Sequence, residues 1–288
     1  MQSDAIKRVG ILRGGTKKHY DSSLKKGGEL ISHILENLGD KYKTFDILVD
    51  KDYVWHFSGM PILPADLVHK VDIVWNVSDP TFSNILDSLS IPNITAGSFS
   101  SSLGRNKEFL REHLKEIDIQ MPRSIIYPQN AREVFEKISP PWIVKILNEV
   151  QLVKTFNELA LAIDGKEDVV VEEFIAGKVA SVHSVRGFRM GDLPAQAGDI
   201  YAFPPGNSFG VFAVEEKEKL AASAKKLHKH IGAKHYLKSD FILTPRGKVY
   251  LLQINLTPNL KPDSHFSQVC ELVGAKPHHV VEHILEHP

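Results

Sequence analysis

Apolar positions fall into short runs broken by polar turns and by amphipathic stretches. Val9-Gly10-Ile11-Leu12 breaks at Arg13-Gly14-Gly15-Thr16, which predicts a buried strand running into a glycine turn. Leu30, Ile31, Ile34, Leu35 and Leu38 recur at helical spacing, and Gly39 sits where a C-cap glycine belongs. Residues 43–49 and 71–75 read as strands, 83–89 as a short helix and 91–94 as an edge strand. Strands alternating with helices over 1–96 predict a parallel α/β sheet.

Further on, the polar run Gly97-Ser98-Phe99-Ser100-Ser101-Ser102 reads as a turn leading into a helix over 106–117. Strands are predicted at 124–127, 142–145, 168–175 and 180–185, with helices from Asn130 and over 157–163. A loop at 202–207 precedes a long helix over about 215–231, and 278–285 reads as a closing helix. Between them lies the clearest hairpin, 237–243 and 248–255, joined by Thr244-Pro245-Arg246-Gly247. Pro in second place and Gly in fourth suit a type I turn.

The hairpin carries the first chemistry. Side chains alternate across a strand, so Lys238 and Asp240 share one face of the first strand and Gln253 and Asn255 share one face of the second, among apolar Phe241, Leu243, Leu252 and Ile254. Two readings follow. Oxygen donors from Asp240, Gln253 and Asn255 suit Mg²⁺, with phosphate oxygens completing the octahedron and Lys238 neutralising charge nearby. Alternatively, the polar face meets water. Lys145 ends a strand, where a basic side chain reaches into a cleft. Lys107 opens a helix, where the dipole disfavours a cation unless an anion sits close by. Each is otherwise a solvated surface lysine. Glu172-Glu173-Phe174-Ile175 end a strand of valines, whose backbone suits a purine edge or is an ordinary strand end.

Composition narrows the class. The 288 residues allow two or three domains at roughly 100–200 residues each. With 35 basic and 35 acidic residues, the balance argues against a general nucleic-acid or membrane-surface binder. Cys270 is the one cysteine, expected to be a buried helix residue, and a lone thiol suits a reducing cytoplasm. No secretory h-region and no run approaching ~18 apolar residues is present, which predicts a soluble cytoplasmic protein. His279, His283 and His287 lie four apart beside His278. On one helix face they either hold a transition metal or cap the helix end.

In this order the pieces are similar to the ATP-grasp superfamily, and the chain resembles its D-alanine–D-alanine ligases over almost the whole length. Residues 9–16 with Ser23-Leu24 look like that family's opening strand and glycine turn, and 91–98 like its entry to the ATP-grasp region. Val171-Glu172-Glu173-Phe174-Ile175-Ala176-Gly177 looks like its adenine hinge. Ser239-Asp240-Phe241 with 250–258 looks like its metal-binding hairpin. The resemblance implies an α/β ATP-grasp fold behind an N-terminal Rossmann-like (pre-ATP-grasp) parallel sheet. Its parts would be 1–96, a central subdomain 97–177 and a C-terminal subdomain 178–288 with the hairpin. It also implies a cytoplasmic ATP- and Mg²⁺-dependent ligase of peptidoglycan synthesis. Such an enzyme phosphorylates the carboxylate of one amino acid, and the amine of a second attacks the acylphosphate. The implied partners are an amino acid-like small molecule and a second copy in a homodimer, with no nucleic acid or membrane.

By the same resemblance, Lys107 and Lys145 hold ATP phosphates, and Glu172, Glu173, Phe174 and Ile175 hold adenine. Asp240, Gln253 and Asn255 hold metal, Lys238 stabilises the tetrahedral intermediate, and Gly15, Ser264 and His265 meet substrate. The chain departs from the pattern at functional positions. Gln253 stands where the family has a metal-bridging glutamate, and Lys238 replaces an arginine, losing its bidentate fork. Asn259 replaces a glycine, Val179 an acid at the ribose and His19 an acid at the first substrate's amine. The phosphate-covering loop is shortened to 148–152 and the lid to about 201–212. Two alternatives are a weakened or non-catalytic ATP-grasp protein that binds nucleotide or a partner, and a kinase-like ATP-grasp enzyme.

Overall fold

The computed structural model describes residues 6–15, 19–146, 149–189, 199–206 and 211–288. The first apolar run forms β1 (Lys7–Gly14), the centre of a mainly parallel sheet. It is followed by α1 (Tyr20–Leu38), β2 (Tyr42–Val49), β3 (Trp55–Phe57), β4 (Met60–Pro61), β5 (Ile73–Asn76), α2 (Phe82–Ser88) and β6 (Asn93–Ile94). The strand order is β4-β3-β2-β1-β5-β6, with β1 parallel to β2 and β5 and β5 parallel to β6. The antiparallel β3–β4 extension was not predicted, because strands of three and two residues are too short to show a period. Gly39 does close α1, but in a right-handed conformation. A Cβ there would press on the Leu35 carbonyl oxygen, so close approach, not a left-handed turn, favours glycine.

The middle of the chain gives α3 (Ser98–Arg105), α4 (Lys107–His113), β7 (Ser124–Ile126), α5 (Ala131–Lys137), β8 (Trp142–Ile146), β9 (Glu149–Val153), α6 (Phe156–Ile163) and β10 (Val169–Glu173). Its strands form an antiparallel sheet, β7-β10-β8-β9. Two expectations are corrected. The serine run is the helix α3: Ser102 Oγ donates to the Ser98 carbonyl and Ser100 Oγ to that of Ile231, so the hydroxyls are satisfied within helical packing. Residues 149–153 form a strand, not a loop, paired with β8 from Trp142↔Val153 to Ile146↔Glu149. The alternation of Glu149-Val150-Gln151-Leu152 is a strand signal that outweighs analogy with a family loop. Asn148, and 207–210 of the shortened lid, lie outside the described residues.

The last part holds β11 (Lys178–Arg186), β12 (Ile200–Ala202), α7 (Val214–His230), β13 (Tyr236–Leu243), β14 (Val249–Asn255), α8 (His265–Leu272) and α9 (Pro277–Glu286). The antiparallel order is β12-β11-β13-β14. Gly247 N–H donates to the Thr244 carbonyl at 2.8 Å, closing the predicted turn.

Packing crosses the chain. One core joins Val9, Ile11 and Ile34 to Tyr236, Phe266, Cys270 and Val281. A second lies between α7, the last sheet and α3–α4, and a third is confined to the central sheet with α5 and α6. Cys270 is fully buried as expected, and burial pushes its thiol up to about 12. Among the described residues, no helix is long and apolar enough to cross a membrane.

Candidate active site

The register Lys238↔Asn255, Ser239↔Ile254, Asp240↔Gln253 sets the polar pairs opposite one another on one face of the hairpin. The register shifts only beyond Asp240, between Asp240 and Phe241, so the four stay together. Asp240 is 6% exposed and its carboxylate is saturated. Lys238 Nζ lies 3.0 Å from Oδ1 and 3.1 Å from Oδ2. Gln253 Nε2 donates to Oδ2 at 2.7 Å, and Ser181 Oγ, from β11, donates to Oδ1. Ser181 was not foreseen: it is brought in only by the pairing of β11 with β13.

This donor set does not fit the metal arrangement that the resemblance implies for Asp240, Gln253 and Asn255. Mg²⁺ needs oxygen ligands with net negative charge around it. Here one carboxylate is matched by one ammonium. Gln253 must turn its NH₂ toward an acceptor-only carboxylate, and Lys238 stands on Asp240 where a cation would stand. Gln253→Glu would set two carboxylates side by side. That variant should melt about 3–6 °C lower without metal, the cost of about 1–2 kcal/mol of repulsion, and recover with Mg²⁺ or Mn²⁺. The unaltered protein should melt at the same temperature with or without either ion. A nucleotide-independent rise with Mn²⁺ in that protein would overturn this account.

A second cluster joins three elements. Glu172, on β10, is 5% exposed and holds Lys107 at 2.8 Å and Lys145 at 2.6 Å. Lys107 is the first residue of α4, and Glu172 is the anion that its place in a first helical turn requires. Burial alone pushes the Glu172 carboxyl up, but the two lysines outweigh it and hold it below its ordinary value. Burial lowers Lys107, and Glu172 offsets part of that. Both candidate phosphate lysines are therefore brought together, with one positive charge to spare.

The hinge expectation is corrected in part. The Glu172 side chain is spent on lysines, and its backbone sits in a strand paired on both sides. The Glu173 amide donates to Arg123 O and its carboxylate pairs with Arg123 at 3.1 Å, while the Phe174 amide donates to Pro141 O. Among the described residues, the Ile175 amide has no backbone partner, and Phe174 beside it is 37% exposed. A free amide, an open aromatic ring and two lysines suit a nucleotide.

The substrate candidates separate. His265 lines a cavity of about 340 Å³ between α1 and the hairpin, with Lys25, Lys26, Glu29, Lys238 and Asn255. Ser264 does not line it: it caps α8, accepting from Ser267 N–H and donating to the Asn259 carbonyl. Gly15 has φ +92° and packs on Ser78 and Phe82, so it shapes the first turn instead of lining the cavity. Behind His265 lies a chain that sequence spacing does not reveal: His183 Nε2 is 2.7 Å from His265 Nδ1, and His183 Nδ1 is 2.6 Å from Tyr236 Oη. Burial pushes both imidazoles below their ordinary value, with Lys238 nearby adding to it.

The terminal histidines are not a metal set. His283 Nε2 lies 2.8 Å from Arg186 O, His287 Nδ1 caps the His283 carbonyl, and His279 Nδ1 accepts from Lys276 N–H. His113, Glu116 and His230 are the group of metal-capable side chains that do cluster among the described residues. Their ligand atoms lie within 4.8 Å of one another, and the two imidazoles stack at 4.3 Å between centroids.

Comparison with known proteins bears on the fold. The family model described as D-ala D-ala ligase C-terminus matches residues 208–286. A D-alanine–D-alanine ligase of Geobacter sulfurreducens is 25% identical over 90% of this chain and 87% of its own. A Bacillus anthracis D-alanine–D-alanine ligase, solved in complex with ATP, superposes with a TM-score of 0.69 at 20% identity, over 97% of this chain and 96% of its own. D-alanyl-alanine synthetase A of Vibrio cholerae gives 0.73 at 18% identity, over 97% of each chain. The chain is similar to D-alanine–D-alanine ligases over nearly its whole length and has their fold. In this ligase-like chain the central sheet and α4 carry the cluster Lys107–Glu172–Lys145, and the last sheet carries Lys238–Asp240.

Proposed function

We propose that the protein is an ATP-dependent carboxylate–amine ligase acting on amino acids in the cytoplasm. The carrying observation is the pair of cationic clusters, Lys107–Glu172–Lys145 and Lys238–Asp240, on a fold shared with ligases, one of them solved with ATP. ATP, when bound, supplies the phosphoryl group that activates a carboxylate as an acylphosphate. The residues fit it: Lys107 and Lys145 would take its phosphates, and the Ile175 amide with Phe174 would take its base.

In the second half of the reaction the amine lone pair attacks the acyl carbon. A C–N bond forms, the C–O bond to phosphate breaks, phosphate leaves with the electron pair, and the amine proton passes to water. Lys238 would sit against the negative oxygen that develops. Its orientation is fixed by Asp240, and Asp240 is fixed by Ser181 and Gln253. Asp240 is already matched by Lys238 and leaves no uncompensated charge for Mg²⁺.

Release of ADP from ATP, measured with a panel of D- and L-amino acids, tests the reading. ADP should form only when an amino acid is present, and Lys145→Met should lower kcat/KM about 100-fold or more. No ADP with any amino acid would sink it.

A further inference from the structure

The cavity beside the hairpin has a charge pattern that a simple amino acid does not answer. Its wall holds the ammoniums of Lys25, Lys26, Lys238 and Lys261, and one carboxylate, Glu29. Lys238 is matched by Asp240 behind it, and Lys261 reaches Glu29 only at 3.9 Å. Lys25 and Lys26 form no ion pair among the described residues. Both are exposed on α1, about 100° apart around its axis, and both reach the cavity wall. Burial lowers Lys26, and Arg105 on its far side adds to that. Burial pushes the lining histidines, His183 and His265, below their ordinary value, and an imidazole supplies no negative charge in either form. Even with Glu29 and Asp240 counted, the wall keeps a surplus of two positive charges.

An alanine zwitterion carries no net charge and would leave that surplus unanswered. An amino acid with a second carboxylate would answer it with charge-assisted hydrogen bonds. A volume of about 340 Å³ leaves room for the longer side chain. We infer that one amino acid substrate of this site is acidic, its side-chain carboxylate held by Lys25 and Lys26. The inference rests on the ligase reading for its chemistry, but not for its binding test. The same anionic chemistry could also come from nucleotide phosphate, so the test separates the two sources.

The full chain, loaded with a non-hydrolysable ATP analogue, is titrated calorimetrically with D- and L-aspartate, D- and L-glutamate, and D- and L-alanine. At least one acidic amino acid should bind tenfold or more tightly than either alanine. The double variant Lys25→Ala/Lys26→Ala should erase that preference while the analogue's own Kd stays within twofold. Lys25→Glu/Lys26→Glu should abolish binding of the acids. Alanine binding as tightly as every acid would overturn the inference. So would a double variant that keeps the acid preference, or one that instead weakens the ATP analogue, because the surplus would then serve phosphate. An ADP assay on the same samples keeps the two ideas apart. Acid-selective binding without ADP would defeat the ligase reading and leave this one standing, while ADP formed equally well with alanine would do the reverse.

Discussion

Replacing Glu172 by alanine should cost about 2–3 kcal/mol of stability at neutral pH without nucleotide. Breaking a buried ion pair from one side costs about 3–5 kcal/mol when the remaining charge is fully enclosed. Here the carboxylate side chain is 7% exposed but the lysines are 32% and 31% exposed, so water recovers part of the loss. Two ammoniums drawn toward one carboxylate would then face each other without it. Saturating ATP should return much of the deficit, because phosphate brings the missing negative charge to the same lysines. Urea unfolding with and without ATP measures both quantities. A loss under about 0.5 kcal/mol, or a deficit that ATP leaves unchanged, would show that the triad neither bears on stability nor meets the nucleotide.

Acid should unfold this protein early. His228 is fully buried, and burial with Arg186 nearby lowers it to about 4; burial, Lys234 and other cations lower His235 to about 4 as well. Unfolded, each titrates near 6.5. Between those values the unfolded chain binds protons that the folded chain refuses. Their contribution is therefore full above pH 6.5 and is lost as pH falls toward 4. The slope is about 1.4 kcal/mol per pH unit for each histidine, so pH 5 should cost about 2 kcal/mol apiece relative to pH 7. Urea unfolding at pH 7, 6 and 5 would show a fall of about 4 kcal/mol in total. A difference below about 1 kcal/mol would mean that these imidazoles already carry protons in the folded state.

The hairpin face was legible because its main determinant is local. Period two places Lys238 with Asp240 and Gln253 with Asn255, while the register shift between Asp240 and Phe241, which the turn alone does not dictate, sets which pair meets which. What the pairs do to one another was less legible. Gln253 as a donor to Asp240, in place of a metal ligand, depends on the third donor, Ser181, arriving from β11. Glu172 gave one signal, a carboxylate directly after three valines in a strand. A carboxylate in a strand that also pairs on both sides needs a cation, yet nothing local says that the cations are Lys107 and Lys145. The lysines on α1 were hidden for another reason. On a surface helix Lys25 and Lys26 look like solvated charge, and they stay exposed; only the folded hairpin shows that they border a cavity. For α3, runs of serine lower helix propensity, and tertiary bonds such as that from Ser100 to Ile231 reverse the local preference.

The shared core has a consequence for the order in which the protein can be made. Val9 and Ile11, on the central strand of the first sheet, share one core with α1 and with side chains of α8 and α9, and Lys7 and Lys41 are tied to Leu285 and Glu282. During synthesis, that sheet and α1 leave the ribosome long before the α8 and α9 part of their core does. The central sheet has a core of its own and needs no such wait. The first part to emerge is thus among the last to be completed, and in the interval its apolar face is the surface that a chaperone would find.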